Sequence, residues 1–191
     1  MVTINLVPED ADDPLLSSVF DKVRQGGRAV PDLYRALGNA PAMLRAWTGM
    51  AWPLRTEATT SRALRELMIM RVAVLTRAAF EWEAHWPAAL DAGVRTSQLR
   101  ELNSWATSSE FNAEERAALR CVDEMIASGA ASPDAVAELR SHFDDGEVVE
   151  LVLTAGFYSC VSHVLLTLGI EAESSDDEPT VLYRTLTAES A

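Results

Sequence analysis

The sequence predicts an all-α fold, a compact multi-helix domain, and three observations carry that expectation. Apolar residues recur at three- and four-residue spacing through most of the 191 residues. Cap residues followed by proline, or by a glutamate three positions on, mark several segment starts. No segment other than VLYRTL at 181–186 competes as a strand by alternating apolar and polar residues.

Asp13-Pro14 opens a first helix that Gly26-Gly27 stop near Gln25. Val30-Pro31 starts a short helix ended by Gly38-Asn39. Pro41 opens another, which Pro53 is expected to close. A long helix from about Ser61 carries Leu64, Leu67, Met68, Met70, Val72, Val74 and Leu75, so little polar face remains and it is expected to be central and buried. A break near Arg77–Phe80 precedes a helix from Glu81 to Asp91, bent at Pro87 and ended by Gly93. Thr96 caps a short helix to about Trp105. Asn112 with Glu115 forms a capping-box pattern for 113–128, and Ser132-Pro133 opens a helix to about Phe143. Asp144 with Glu147 precedes the last long helix, Val148 to Leu168, ended by Gly169. These elements give one helical domain over 1–172 and an acidic, tail-like segment over 173–191.

Composition narrows the function classes. A net charge of −13 argues against nucleic acid and anionic membrane surfaces as partners. The start, MVTINLVPEDADD, lacks the basic and apolar regions of a secretory signal. No run approaches ~18 uninterrupted apolar residues. Two cysteines far apart, Cys121 and Cys160, sit among apolar neighbours and read as reduced, buried thiols. A cytoplasmic protein is expected. The apolar character of 61–77 and 148–168 exceeds what one partner helix covers, so a homo-oligomer, dimer or trimer, is expected, with Trp47–Trp52 and VLYRTL as further contact candidates.

The residues able to do chemistry are few. Glu66 stands in a strongly apolar helix, where a carboxylate is costly unless paired. It either faces outward to Arg62, four residues earlier, or turns inward as part of a site. Glu81 and His85 are four apart and share a helix face. A carboxylate beside an imidazole holds its tautomer and stabilises its charged form, although a surface pair beside a core stripe has the same spacing. Phe80, Trp82 and Trp86 flank the pair as a pocket wall or as core. Arg71 or Arg77 is a candidate for an anionic substrate group, against ordinary Arg–Glu pairing. His142 reads as a helix-end cation and His163 as a core histidine. No HxH or HExxH spacing supports a metal, and no phosphate-binding or GxSxG motif occurs.

Segment 64–93, LRELMIMRVAVLTRAAFEWEAHWPAALDAG, resembles the core of the carboxymuconolactone decarboxylase family, which includes alkylhydroperoxidase D. The similar elements are the R-E-x-x-I/M-x-R-V-A helix, the aromatic-E-W-x-x-H turn and helix, and the H-x-P-x-A-L-x-A-G run. FNAEERAALRCVDEM and the last long helix through LGIE extend the likeness, to about 15–172. The resemblance implies the alkylhydroperoxidase D-like fold and a symmetric homo-oligomer, and it groups Glu66, Glu81 and His85 as one catalytic site. In the redox branch a Cys-x-x-Cys-x-x-x-His motif works with a relay glutamate. Matched on His85, those thiols fall at Ala78 and Glu81, so both are absent while the relay glutamate, Glu66, remains. Thiol–disulfide exchange needs a thiolate. The resemblance therefore implies the non-redox branch, without cofactor or metal.

Two functions follow. One is a cofactor-free lyase or isomerase, decarboxylase-like or biosynthetic cyclase-like, with Glu66, Glu81 and His85 as proton donor, acceptor and orienter, and with Phe80, Trp82, Trp86 and Arg71 binding a small organic substrate. The other is a non-catalytic small-molecule binder that has lost the family's thiol chemistry.

Overall fold

A computed structural model describes residues 2–27, 29–172 and 175–189. Among these residues the chain is helical and holds no strand. It divides into two compact units, Met1–Glu57 with Leu165–Glu171, and Ala58–Val164 with Ala172–Ala191. That division differs from the expected single domain over 1–172.

The first unit is built on α1 (Pro14–Gln25), α2 (Asp32–Leu37) and α3 (Pro41–Thr56). The Asp13 carboxylate caps α1, accepting from the backbone N–H of Leu15 at 2.8 Å and Leu16 at 3.2 Å. Leu16, Val19, Phe20 and Val23 recur at helical spacing and form the buried face of α1, which packs on α3. Pro53 does not close α3, as expected, but lies inside it. Its ring crowds the carbonyl four residues back, and that residue is Gly49, with open space around it, so the backbone can adjust there.

The second unit is centred on α4 (Arg62–Thr76), in which every residue from Leu64 to Val74 is buried. α4 is covered within its own chain by α5 (Ala79–Ala92), α7 (Ala113–Ser128) and α10 (Glu178–Glu189), so it is not the oligomer face the sequence suggested. Only Arg77 and Ala78 separate α4 from α5, which makes the pair an antiparallel hairpin. Arg77 takes the left-handed conformation, φ 58° and ψ 37°, that ends α4. The expected helix 96–105 is a short helix α6 (Thr96–Arg100) followed by a 3-10 turn, Leu102–Ser104. α7 begins with the reciprocal Asn112–Glu115 bonds, each 2.9 Å. α8 (Pro133–Arg140) follows, and Asp144–Glu147 bonds open α9 (Asp145–Leu168).

The acidic tail is corrected too. Residues 173, 174, 190 and 191 of it lie outside the described residues, but 178–189 form α10. Tyr183 and Leu186, three apart, are buried in a core shared with Trp82, Trp86, Leu67 and Leu99. The Trp82 indole N–H donates to the Pro179 carbonyl at 2.8 Å, and the Thr180 hydroxyl donates to Glu83 at 2.9 Å. VLYRTL is therefore neither a strand nor free to reach a neighbouring subunit as a whole, because its helical face is used on α5.

α9 is 24 residues long, with a mean hydropathy of 1.7 over its most apolar window. By length and apolarity it is a helix able to cross a bilayer, against the sequence expectation, although a buried core helix has the same properties. One face, through Leu151, Ala155, Tyr158 and Val161, is buried. Val149, Leu153, Gly156, Cys160 and His163 form an exposed stripe along the opposite face. Cys160 and His163 are thus exposed, and both expectations of burial are corrected: each lies on the α9 face turned from the core.

Arg77 bears the one positive φ found at a non-glycine position among the described residues. A left-handed L-residue costs roughly 1–2 kcal/mol, and glycine escapes it at some loss of chain entropy. Arg77→Gly is expected to raise unfolding stability by about 0.5–1 kcal/mol, measured by urea titration. A loss of stability would show that the Arg77 side chain contributes more than its backbone costs.

Candidate acid–base site

The two-residue turn between α4 and α5 sets Glu66 of one helix against His85 of the other. Glu66 Oε2 lies 2.7 Å from His85 Nδ1. Glu81, one turn before His85 on α5, places Oε1 3.1 Å from Nε2. The imidazole therefore lies between two carboxylates, one at each ring nitrogen. Glu66, Glu81 and His85 are 0%, 3% and 5% exposed, so the whole arrangement is inside the protein. The Glu81 contact is within ion-pair range but not aligned as a hydrogen bond, which leaves its Oε1 buried without a hydrogen-bond partner. Glu66 faces inward, against the outward reading, and still keeps the Arg62 pairing: Oε2 takes His85, while Oε1 takes the guanidinium of Arg62, which reaches in from the half-exposed start of α4.

Burial by itself lowers the pKa of His85. The Glu81 charge and the hydrogen bond to Glu66 outweigh it, and the net shift is upward. The site thus holds an imidazolium at a pH where a free histidine is neutral. A shared metal does not suit this geometry, because the carboxylates engage opposite edges of one ring instead of converging on a point. Among the described residues no other cluster of histidine, cysteine and carboxylates suits a metal.

Two further residues, missed in the sequence, border the cluster. The Tyr158 ring of α9 stands edge-on to His85, with centroids 5.0 Å apart and planes at 85°. Arg65 is 3% exposed. Its Nη1 donates to the Thr60 carbonyl and, at 2.9 Å, to the Thr60 hydroxyl, while Nε has no hydrogen-bond partner. Burial, then the neighbouring Arg62 charge, pulls the Arg65 pKa below the ordinary arginine value, against Glu150, Glu66 and Tyr158. Glu150 fixes α9 to the start of α4. Its carboxylate accepts from the backbone N–H of Thr59 and of Thr60, both at 2.8 Å, and from both hydroxyls. Burial raises the Glu150 pKa, but these four bonds hold it below the usual carboxylate range.

A signal for Tyr158 was present in the sequence. Glu150, Thr154, Tyr158 and Ser162 place a polar group every four residues along the most apolar helix, and the last three are buried.

The remaining candidates fall elsewhere. Arg71 is not in the cluster. Its Nε and Nη2 grip Asp123 at 2.7 and 2.9 Å, and Nη1 donates to Asn103 at 2.9 Å, so its donors are committed to holding α4 against α7 and the 3-10 turn. Trp82 and Trp86 do not wall a pocket. They lie about 100° round α5 from the Glu81–His85 face and pack into the core with Tyr183. Phe80 is half-buried in the first turn of α5. Cys121 is buried in α7, and burial pushes its thiol up to about 11. A shallow depression of about 610 Å³, lined by Ala131, Pro133, Val136, Ala137, Arg140 and Ser141, contains no residue of the acid–base cluster.

The raised His85 pKa fixes the sign of a pH dependence. Its contribution to stability is complete below the unfolded-chain value of about 6.5 and is lost as pH rises through the higher folded value. The stability difference between wild type and His85→Gln is therefore expected to shrink as pH rises from about 6 upward, measured by urea unfolding at a series of pH values. A difference that widens with pH would contradict the imidazolium assignment.

Residues 41–124 match the carboxymuconolactone decarboxylase family. The chain is 25% identical over 120 residues to the uncharacterized protein YdfG of Bacillus subtilis (strain 168), covering 62% of this chain and 82% of that one. Among solved structures, the apo debrominase Bmp8 superposes with a TM-score of 0.75 at 16% identity, over 96% of this chain and 98% of that one. An alkylhydroperoxidase AhpD core, a peroxidase-related protein from Ralstonia eutropha JMP134, gives 0.70 at 16% identity, over 93% and 91%. The likeness to the carboxymuconolactone decarboxylase family is thus carried by residues 41–124, and the fold is the alkylhydroperoxidase D-like helical one.

Proposed function

We propose that this protein is a cofactor-free lyase or isomerase that moves a proton on a small organic substrate, in a decarboxylase-like or cyclase-like reaction. The observation that carries the reading is the His85 imidazole held between Glu66 and Glu81 in a buried setting. Positioned acid–base groups of this kind accelerate proton transfer without metal or organic cofactor. Glu66, anchored on its far side by Arg62, orients the ring through Nδ1. Glu81, whose Oε1 lacks a hydrogen-bond partner, accepts the substrate proton, and the imidazolium beside it is the proton donor. Ala78 and Glu81 stand where the redox branch of the family has thiols, so thiol–disulfide exchange is not the proposed chemistry.

The second reading, a non-catalytic small-molecule binder, is favoured by the enclosure of the same three groups, none more than 5% exposed. Hydrogen–deuterium exchange into carbon acids and β-keto acids, followed by NMR, separates the two. Wild type is expected to exceed the buffer rate, and Glu66→Gln, Glu81→Gln and His85→Gln each to lose about 100-fold or more of that excess. Binding without exchange would leave the binder reading.

We further propose a soluble cytoplasmic homo-oligomer that does not use nucleic acid or membrane as a partner. It would be formed through the exposed α9 stripe, where Val149 is 56% and Leu153 43% exposed. Light scattering is expected to give a multiple of the 20.8 kDa chain mass, and Leu153→Glu to reduce it. A single-chain mass for wild type would refute this assembly.

A further inference from the structure

Ser162 is the exception in the polar row of α9. The Thr154 hydroxyl, two turns earlier, donates to the Glu150 carbonyl at 2.8 Å, whereas the Ser162 hydroxyl is fully buried and has no hydrogen-bond partner. A buried unpaired polar group is costly, and a native fold that retains one calls for an explanation such as a bound molecule or a catalytic role. Among the described residues, Ser162 Oγ, Glu81 Oε1 and Arg65 Nε are the side-chain atoms in this condition.

Helix directions set the first two of these at one level along the helices. Glu150 of α9 binds Thr59 and Thr60, just before α4, and Tyr158, two turns on, meets His85, which binds Glu66 within α4. Advancing along α9 therefore advances along α4, and α9 runs parallel to α4 and antiparallel to α5. From the Tyr158–His85 contact, one turn forward on α9 reaches Ser162 and one turn back on α5 reaches Glu81. A hydroxyl without a hydrogen-bond partner is thus at the same level as a carboxylate oxygen whose contact is the 3.1 Å ion pair with the imidazolium.

We infer that Ser162 donates a hydrogen bond to the carbonyl oxygen of an enolisable substrate whose adjacent C–H proton is taken by Glu81, which makes the substrate class a small carbonyl carbon acid. The inference rests on the acid–base reading above. In this step the C–H bond breaks and the proton forms an O–H bond at Glu81 Oε1. The C–H electron pair becomes the C=C bond, and the carbonyl π pair moves to the oxygen held by Ser162. Return of the proton to the same carbon or to a conjugated one completes an exchange or isomerisation with no net change in electrons. A donor fixed in advance in a water-poor site is most effective where negative charge develops.

The test uses the full-length protein with 2,4-pentanedione, which carries both a carbonyl oxygen and an acidic C–H. Proton exchange in deuterium oxide and ligand binding are both followed by NMR. Wild type is expected to bind the diketone and to exchange it faster than buffer. Ser162→Ala is expected to cut the enzyme-dependent rate by about 10- to 1000-fold, Ser162→Thr to restore most of it, and the melting temperature of Ser162→Ala not to fall, because the unpaired hydroxyl is removed. If Ser162→Ala exchanges as fast as wild type while His85→Gln is inert, the Ser162 assignment fails and the acid–base reading stands. If wild type binds the diketone in a Ser162-dependent way without exchanging it, the acid–base reading fails and Ser162 stands as a binding residue. A wild type that neither binds nor exchanges the diketone, or a Ser162→Ala protein that melts at a lower temperature, overturns the inference.

Discussion

The contact between Glu66 and His85, 2.7 Å long and out of reach of solvent, is the constraint around which the second unit is organised. Taking a carboxylate and an imidazolium out of water costs several kcal/mol per ion before their attraction is counted. Such a pair persists only where the remaining hydrogen-bonding capacity is met. Arg62 meets it at the second oxygen of Glu66, and Glu81 supplies the second negative charge that keeps the ring protonated. Arg65 adds a buried positive charge next to Glu66 in sequence, so the carboxylates are balanced by cations drawn largely from the first turn of the same helix.

α5 serves two purposes because adjacent residues on a helix point about 100° apart. Glu81 and His85 share one face, and Trp82 and Trp86 share the next. The tryptophans pack with Tyr183 and hold α5 to α10 through the Trp82 indole N–H. The site face is then presented to α4 and to Tyr158 of α9. The aromatic residues that flank the pair in sequence fix the position of the helix that carries it, and they are not part of the reactive surface. The same division holds on α4, where Glu66 faces His85 while Arg71 is spent on Asp123 and Asn103.

α9 ties the arrangement together. The clasp of Glu150 on Thr59 and Thr60 anchors it beside the start of α4, and its row of Thr154, Tyr158 and Ser162 carries polarity into an otherwise apolar interior. Its other face, with Cys160 and His163, is turned outward. A helix this apolar with an exposed stripe has surface left for a partner, whereas α4, which carries four charged residues, is enclosed by α5, α7 and α10.

By itself the sequence determined the helical class, most helix starts and the shared helix face of Glu81 and His85, to which the family resemblance joined Glu66. These are local properties: caps act within a turn, and the i,i+4 spacing of Glu81 and His85 fixes a shared face wherever the helix ends up. The two-residue break after Thr76 also lies within chain-local geometry. The tertiary structure decided which side of each helix met which neighbour. Pro53 stayed within α3, and 178–189 became a helix once Tyr183 and Leu186 had the tryptophans of α5 to pack on. Arg71 was drawn to Asp123, 52 residues away, and Tyr158 was brought to His85 across most of the unit. No periodicity encodes those pairings, because burying a charge or a ring depends on which partner the packing of distant segments supplies.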